Sequence, residues 1–372
     1  MVCRVPLVQE GLLARDLELS LLHLAAPGLV DVDGDWALVN LPSCKALVSS
    51  ISGIVGGVCN PRDCSKCKAP AERGTVTMIS KSLGVAVGAA TACEILRLLD
   101  NLAEGEGFRG GEVAAVPLLR LEFREYARTP VARDVRSRNA IKAHIVAQLL
   151  ALLGYCATLA HSEAGSARCM LVDESMVSLA STRATQLYST LRALYRLVYS
   201  RRLDPMLFTL LAAGEAAEVG CGTPLTVRIL VLSSSTRGVN LLGVEDSPVP
   251  ELHASLCRVS VGSPEARLVQ PLVALVSSGV EEAMRVAERF ARMYALGVTS
   301  GSQDYLLAAE RIAASPLAAG SDWLARRGHI DPIDAVCGRR GWTIVLAEAL
   351  KALSSLARDT LLELSLVRGV GV

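Results

Sequence analysis

Aromatic residues are scarce, 4% of the 372-residue chain, while 51% of it is hydrophobic. The apolar content is therefore aliphatic, mainly Ala, Leu and Val in helical runs. A disordered chain, which needs low hydrophobicity, is excluded. Net charge is nearly absent, at +1. A dedicated duplex-binding domain carries a basic excess, so any nucleic-acid contact must be local or shared with partners. Histidines number five, His23, His144, His161, His253 and His329, and they are scattered. There is no Gly-x-Ser-x-Gly elbow, no phosphate-binding Gly-x4-Gly-Lys-Ser/Thr loop and no His-Glu-x2-His pair. The carboxylate pairs Asp173–Glu174 and Asp331–Asp334 read as helix N-terminal charges. The chain thus reads as non-catalytic. A spanning segment is also missing. The best apolar run, Ile145 to Ala160, is closed by His144 and His161 and falls short of the ~18–20 residues a membrane helix needs. It reads as a buried core helix. Charges at Arg4, Glu10, Arg15 and Asp16 argue against a signal peptide, so the expected location is cytoplasmic.

The periodicities that are present give a coarse order. Residues 7–25 read as a helix with Leu12, Leu13, Leu17, Leu21 and Leu24 on one face. Asp33-Gly34 between Leu29–Val32 and Trp36–Leu41 signals a hairpin. Residues 43–74 read as a loop rich in Cys, Gly, Pro and Ser, followed by a strand at Thr75–Ile79 and a helix at Leu83–Leu99. Further helices are expected over 134–160 and 184–200, a second hairpin over 225–244, and helices from 265 onward. In the helix over 280–296, Glu281 with Arg285 and Glu288 with Arg292 have i,i+4 spacing. Strands and helices without a βαβ rhythm predict an α+β fold. The expected regions are an N-terminal α+β part at 1–135, a mixed middle at 136–264 and a C-terminal helical bundle at 265–372. Low Asn, Gln and Lys beside abundant Arg suggests a thermophilic source.

The chemically loaded segment is Cys59-x4-Cys64-x2-Cys67. A Cys-x2-Cys pair lets two thiolates reach one ion from a tight turn, and structural zinc takes four such ligands in a tetrahedron. Cys44 is the best fourth ligand and Cys93 the next. Arg62, Lys66 and Lys68 would favour thiolates electrostatically. An iron–sulfur or redox role, or a metal-free loop, has the same spacing. Most of the eleven cysteines are expected to be reduced, with Cys93, Cys156 and Cys169 packed in the core.

Two arginine-rich stretches follow. One holds Arg133, Arg136 and Arg138; the other holds Arg192, Arg196, Arg201 and Arg202, with Tyr188, Tyr195 and Tyr199 interleaved. Arginines could track phosphates while Arg or Tyr stacks on bases, or the stretches could be solvated helix faces.

The order of these features resembles the large subunit of archaeal type I-A CRISPR interference complexes. The shared points are an N-terminal helix, a Trp-bearing hairpin, a Cys cluster and a long apolar helix. The segment 191–199 with Asp204-Pro205-Met206-Leu207-Phe208, a strand pair near 225–244 and a helical C-terminus complete the likeness. The resemblance implies a non-catalytic antiviral subunit that holds CRISPR RNA and target DNA beside other subunits and helps read a short flanking motif. Base pairing would supply most of the sequence readout. The expected contacts are Arg62, Lys66, Lys68, Arg133, Arg136, Arg138, Arg192, Arg196, Arg201 and Arg202, with zinc as a structural element. A zinc-stabilised adaptor without nucleic acid is the alternative.

Overall fold

The computed structural model describes residues 2–10, 13–58, 66–119, 142–163, 165–180, 183–235, 238–258, 264–318 and 334–369. The fold is α+β, and it divides into two units whose boundary is not sequential. Unit 1 comprises Met1–Thr185 and Val227–Asp246; unit 2 comprises Gln186–Thr226 and Ser247–Val372. Where the sequence suggested three consecutive regions, the second hairpin returns to the first unit.

In unit 1, β1 (Cys3–Pro6), β2 (Val30–Asp33) and β3 (Trp36–Val39) form an antiparallel sheet in the order β1-β3-β2. The β2–β3 turn works because Gly34 adopts φ 56°, a left-handed value that disfavours a Cβ. Between β1 and β2 runs α1 (Leu13–Ala25). The segment expected to be a Cys-rich loop begins instead as α2 (Cys44–Val58). The expected strand at Thr75–Ile79 lies inside α3 (Glu72–Leu83), which is followed by α4 (Ala92–Leu102). Short β-branched runs are ambiguous, and here Thr75 and Ile79 are buried one helical turn apart. Two small ribbons follow, β4 (Ala103–Glu104) with β5 (Gly107–Phe108) and β6 (Glu112–Ala114) with β7 (Lys142–His144). Gly105, at φ 56°, makes the turn between β4 and β5.

The centre of unit 1 is α5 (Ile145–Thr158), all of whose residues are buried. His144 caps it, its Nδ1 accepting the Val146 N–H at 3.3 Å. The helix packs on α1 so closely that a Cβ on Gly154 would sit 2.2 Å from the Leu17 carbonyl oxygen. Its one amide is fully matched. Gln148 Oε1 accepts the Val116 N–H at 2.8 Å, and Nε2 donates to the carbonyls of Val113 (3.2 Å) and Ala143 (3.0 Å). A four-stranded antiparallel sheet, β11-β10-β9-β8, completes the unit. It joins β8 (Leu159–Glu163), β9 (Ser166–Met170), β10 (Arg228–Ser235) and β11 (Gly238–Asp246). The short α6 (Glu174–Ala180) follows β9, with Asp173 accepting the Ser175 and Met176 N–H groups.

Unit 2 is helical. It contains α7 (Ala184–Ser200), which starts at the boundary, then α8 (Pro205–Val219), α9 (Val249–Arg258) and α10 (Pro264–Ser277). Among the described residues it also contains α11 (Glu281–Ser300), α12 (Gln303–Ala318) and α13 (Asp334–Gly369). Close packing again uses glycine: a Cβ on Gly297 of α11 would lie 2.7 Å from Leu306 of α12. The Tyr294 hydroxyl meets Thr360 Oγ1 at 3.0 Å inside the bundle. Among the described residues, no helix is long and apolar enough to cross a membrane.

Candidate functional site

The polar surface of unit 2 gathers arginines from separate elements. The turn after α7 is closed by N–H groups of Arg202 and Leu203 donating to the carbonyls of Tyr199 and Val198, both at 3.1 Å. Arg202 takes φ 55° there, so its side chain leaves the helix line. Asp204 caps α8 by accepting the Met206 N–H at 2.9 Å. Its own N–H donates to Glu288 Oε1 at 2.7 Å, and its carboxylate pairs with Arg292. A cleft of about 600 Å³ opens here, lined by Arg202, Asp204, Glu288, Arg289 and Arg292.

A second cleft, about 460 Å³, lies between α11 and α12 and is lined by Glu282, Arg285, Arg289, Arg311 and Ser315. Arg285, Arg289 and Arg292 follow at spacings of four and three along α11, which puts them on one face. Arg285 pairs with Glu281 as the spacing predicts, whereas Arg292 turns to Asp204 rather than Glu288. Among the described residues, Arg289 and Arg311 have no ion pair or hydrogen bond. Arg289 lines both clefts, whose walls together hold five arginines and the carboxylates of Asp204, Glu282 and Glu288. None of Arg285, Arg289, Arg292 and Arg311 was singled out as a contact from sequence. Their helix-face spacing was visible, but the convergence with Arg202 is tertiary.

The arginines expected on α7 part company. Arg196 is exposed, while Arg192 is buried, and burial pushes its pKa down. A buried guanidinium cannot reach a phosphate, so Arg192 is removed from the expected contacts. Arg201 is half-buried and turned inward, 3.5 Å from the Ser277 carbonyl and 3.6 Å from Met284 Sδ. Tyr188 and Tyr195 are core residues, not base-stacking platforms. Tyr195 stacks on Tyr199 at 4.0 Å and meets Phe208 edge-on at 5.0 Å. In unit 1, Lys66 and Lys68 are exposed, with Lys68 3.5 Å from Glu72. Arg62, Arg133, Arg136 and Arg138 lie outside the described residues.

The expected four-thiolate site is corrected at Cys44. Strand β1 brings Cys3 against the start of α2, and Cys44 closes a disulfide with it at a Cα–Cα distance of 5.0 Å. A sulfur in a disulfide has no thiolate to offer. Cys67 and Cys93 are disulfide-bonded as well, which removes both from a thiolate set. Cys59 and Cys64 lie outside the described residues. The expectation of mostly reduced thiols fails at Cys3, Cys44, Cys67, Cys93, Cys221 and Cys257. Cys156 and Cys169 are free and buried, as expected, and burial pushes each thiol up to about 12.

A different sulfur group stands in unit 2. Ligand atoms of Cys221, His253 and Cys257 lie within 4.8 Å of one another, a cluster that could hold a metal ion. Cys221 follows α8; His253 and Cys257 sit one turn apart on α9. Cys221 and Cys257 are joined as a disulfide, Cα–Cα 5.7 Å. His253 Nδ1 accepts the Leu225 N–H at 3.1 Å, which leaves Nε2 as the donor to the Gly220 carbonyl at 2.9 Å. Burial pushes the ring's pKa down, and the bond to Gly220 partly opposes this. The His-x3-Cys spacing on a helix was the available signal; Cys221, thirty-two positions before His253, was not recognisable as its partner.

In unit 1 a smaller cleft, about 130 Å³, is lined by Asp16, Ser20, His23, Asp173, Glu174 and Arg228. Burial raises the Asp16 pKa and lowers that of His23, which disfavours charge on both. Ser20 Oγ is engaged with the Val172 backbone and Asp173 with the α6 cap. No family model, curated protein or solved structure matches this chain.

Proposed function

We propose that this chain is a non-catalytic subunit that binds a nucleic-acid backbone, in the manner of the large subunit of archaeal type I-A CRISPR interference complexes. The observation that carries the reading is the arginine surface of unit 2, where Arg202, Arg289 and Arg311 converge from three elements on two joined clefts. Guanidinium forks suit phosphate oxygens, and like charges held together are relieved by a polyanion. In the unit 1 cleft Ser20 and Asp173 already serve the backbone, which favours a binding role over a catalytic one. CRISPR RNA and target DNA are the polyanions this reading names, with other subunits of the complex around them.

Zinc is the ion we assign to the Cys221–His253–Cys257 cluster once its disulfide is reduced, because two thiolates and an imidazole are then a donor set it favours. A cytoplasmic location is part of the proposal. With this many disulfides it requires a hyperthermophilic host, where intracellular disulfides persist.

An adaptor role without nucleic acid has one observation in its favour: Arg285 and Arg292 already hold carboxylate partners. Affinity purification from the native host separates the two readings. Co-elution of small RNAs with the backbone proteins of an interference complex is the expected result. A stable assembly free of RNA would establish the adaptor instead.

A further inference from the structure

The Cys221–His253–Cys257 cluster occurs in a state that cannot bind an ion well. Both sulfurs are tied up in the disulfide, and neither carries thiolate charge. Both nitrogens of His253 are taken, one by the Leu225 N–H and one by the Gly220 carbonyl. Those two backbone groups flank Cys221 on either side, so the imidazole holds the ends of the loop that carries the first sulfur. The second sulfur is i+4 from His253 on α9, which sets Cys257 and the ring on one helix face. The loop, the ring and the helix are thus assembled around one point, held by the two bonds of the ring as well as by the disulfide.

We propose that the Cys221–Cys257 disulfide is a redox latch on a metal site, and that reduction opens the cluster to one zinc ion. The choice of ion rests on the zinc reading above. A dithiol supplies two electrons and closes to its own disulfide. The protein S–S bond breaks, and as zinc takes the two sulfurs as thiolates, two protons leave to solvent. His253 gives up one backbone partner and supplies the third ligand. Zinc–sulfur and zinc–nitrogen bonds place such donors roughly 3.5–3.8 Å apart. Reduction lets the two bonded sulfurs move apart to that distance, and side-chain rotation brings the ring nitrogen, now within 4.8 Å of them, to it. Cys221 is exposed, so a small dithiol can reach it, and water fills the fourth position. The site exchanges a covalent staple between α9 and the loop after α8 for an ion that joins the same two elements.

Cobalt(II) tests this on the full chain, since thiolate ligation gives it a charge-transfer band. Protein treated with dithiothreitol, then desalted without oxygen, should develop the band with cobalt(II), and zinc should displace it. Untreated protein should not develop it. The Cys221→Ser/Cys257→Ser protein and His253→Ala should each lose that increment while any signal from other cysteines stays. Equal bands before and after reduction, or an increment unchanged in the serine protein, would overturn the latch. A band that zinc fails to displace would refute zinc as the ion and uphold the latch. Should the variants misfold, peptide mapping of reduced wild-type protein decides. Zinc should shield Cys221 and Cys257 from alkylation, and equal labelling with and without zinc would overturn the proposal.

Discussion

One set of polar side chains in each unit shows the contrast best. Unit 1 turns them inward: Gln148 holds three backbone groups, Glu18 accepts the Val8 N–H, and Arg15 donates to the Val8 and Gly34 carbonyls. Unit 2 turns several outward, with Arg202, Arg289 and Arg311 lining open clefts. The same residue types therefore hold a core in one place and offer a surface in the other. A count of charges cannot separate the two uses; only the direction of each side chain can. Changes in unit 1 should then alter stability, and changes on the unit 2 face should alter binding with stability intact.

The largest effect should come from Gln148→Leu. It strands a buried N–H and two carbonyls, and should cost about 3 kcal/mol or more in denaturant unfolding. A cost under ~1 kcal/mol would mean the amide is not the clamp described here. Gly154→Ala comes next, at about 1–3 kcal/mol, because the new Cβ meets rigid backbone at Leu17. A neutral result would contradict the close approach of α1 and α5.

On the other side of the comparison, Arg289→Glu with Arg311→Glu should leave the melting temperature within a degree or so and weaken DNA binding roughly tenfold. A large loss of melting temperature would show that these arginines are structural and would erase the contrast. The smallest effect concerns acid. Burial pushes the His23 pKa below its ordinary 6.5, so the folded state favours the neutral ring. Unfolded chains take up that proton below about 6.5, and unit 1 stability should fall as pH drops through that range. His23→Gln should flatten this part of the pH–stability curve; an unchanged slope would exclude His23 as its source.

Much of the scaffold was legible from local signals. Asp33-Gly34 marked its hairpin, the run from Ile145 marked the core helix, and 184–200 matched α7 to the residue. The α+β class follows from that order. Thr75–Ile79 misled because a short β-branched stretch fits either period until tertiary packing chooses. The sites were less legible because they are long-range. Cys44 sits in a persuasive metal spacing, yet β1 delivers Cys3 to it from forty-one positions away. Arg192 looked like its neighbour Arg196, but only one of them faces solvent. Conversely, Arg311 carries no local signal and gains meaning only when α12 folds beside α11.

The central claim, that unit 2 presents a phosphate-binding arginine surface, is tested most directly by the salt dependence of DNA affinity. For wild-type protein, log affinity should fall linearly with log salt, and Arg202→Ala/Arg289→Ala/Arg311→Ala should make that slope shallower by roughly 2–3. Affinity that is indifferent to salt, or a slope the triple variant leaves unchanged, would contradict it.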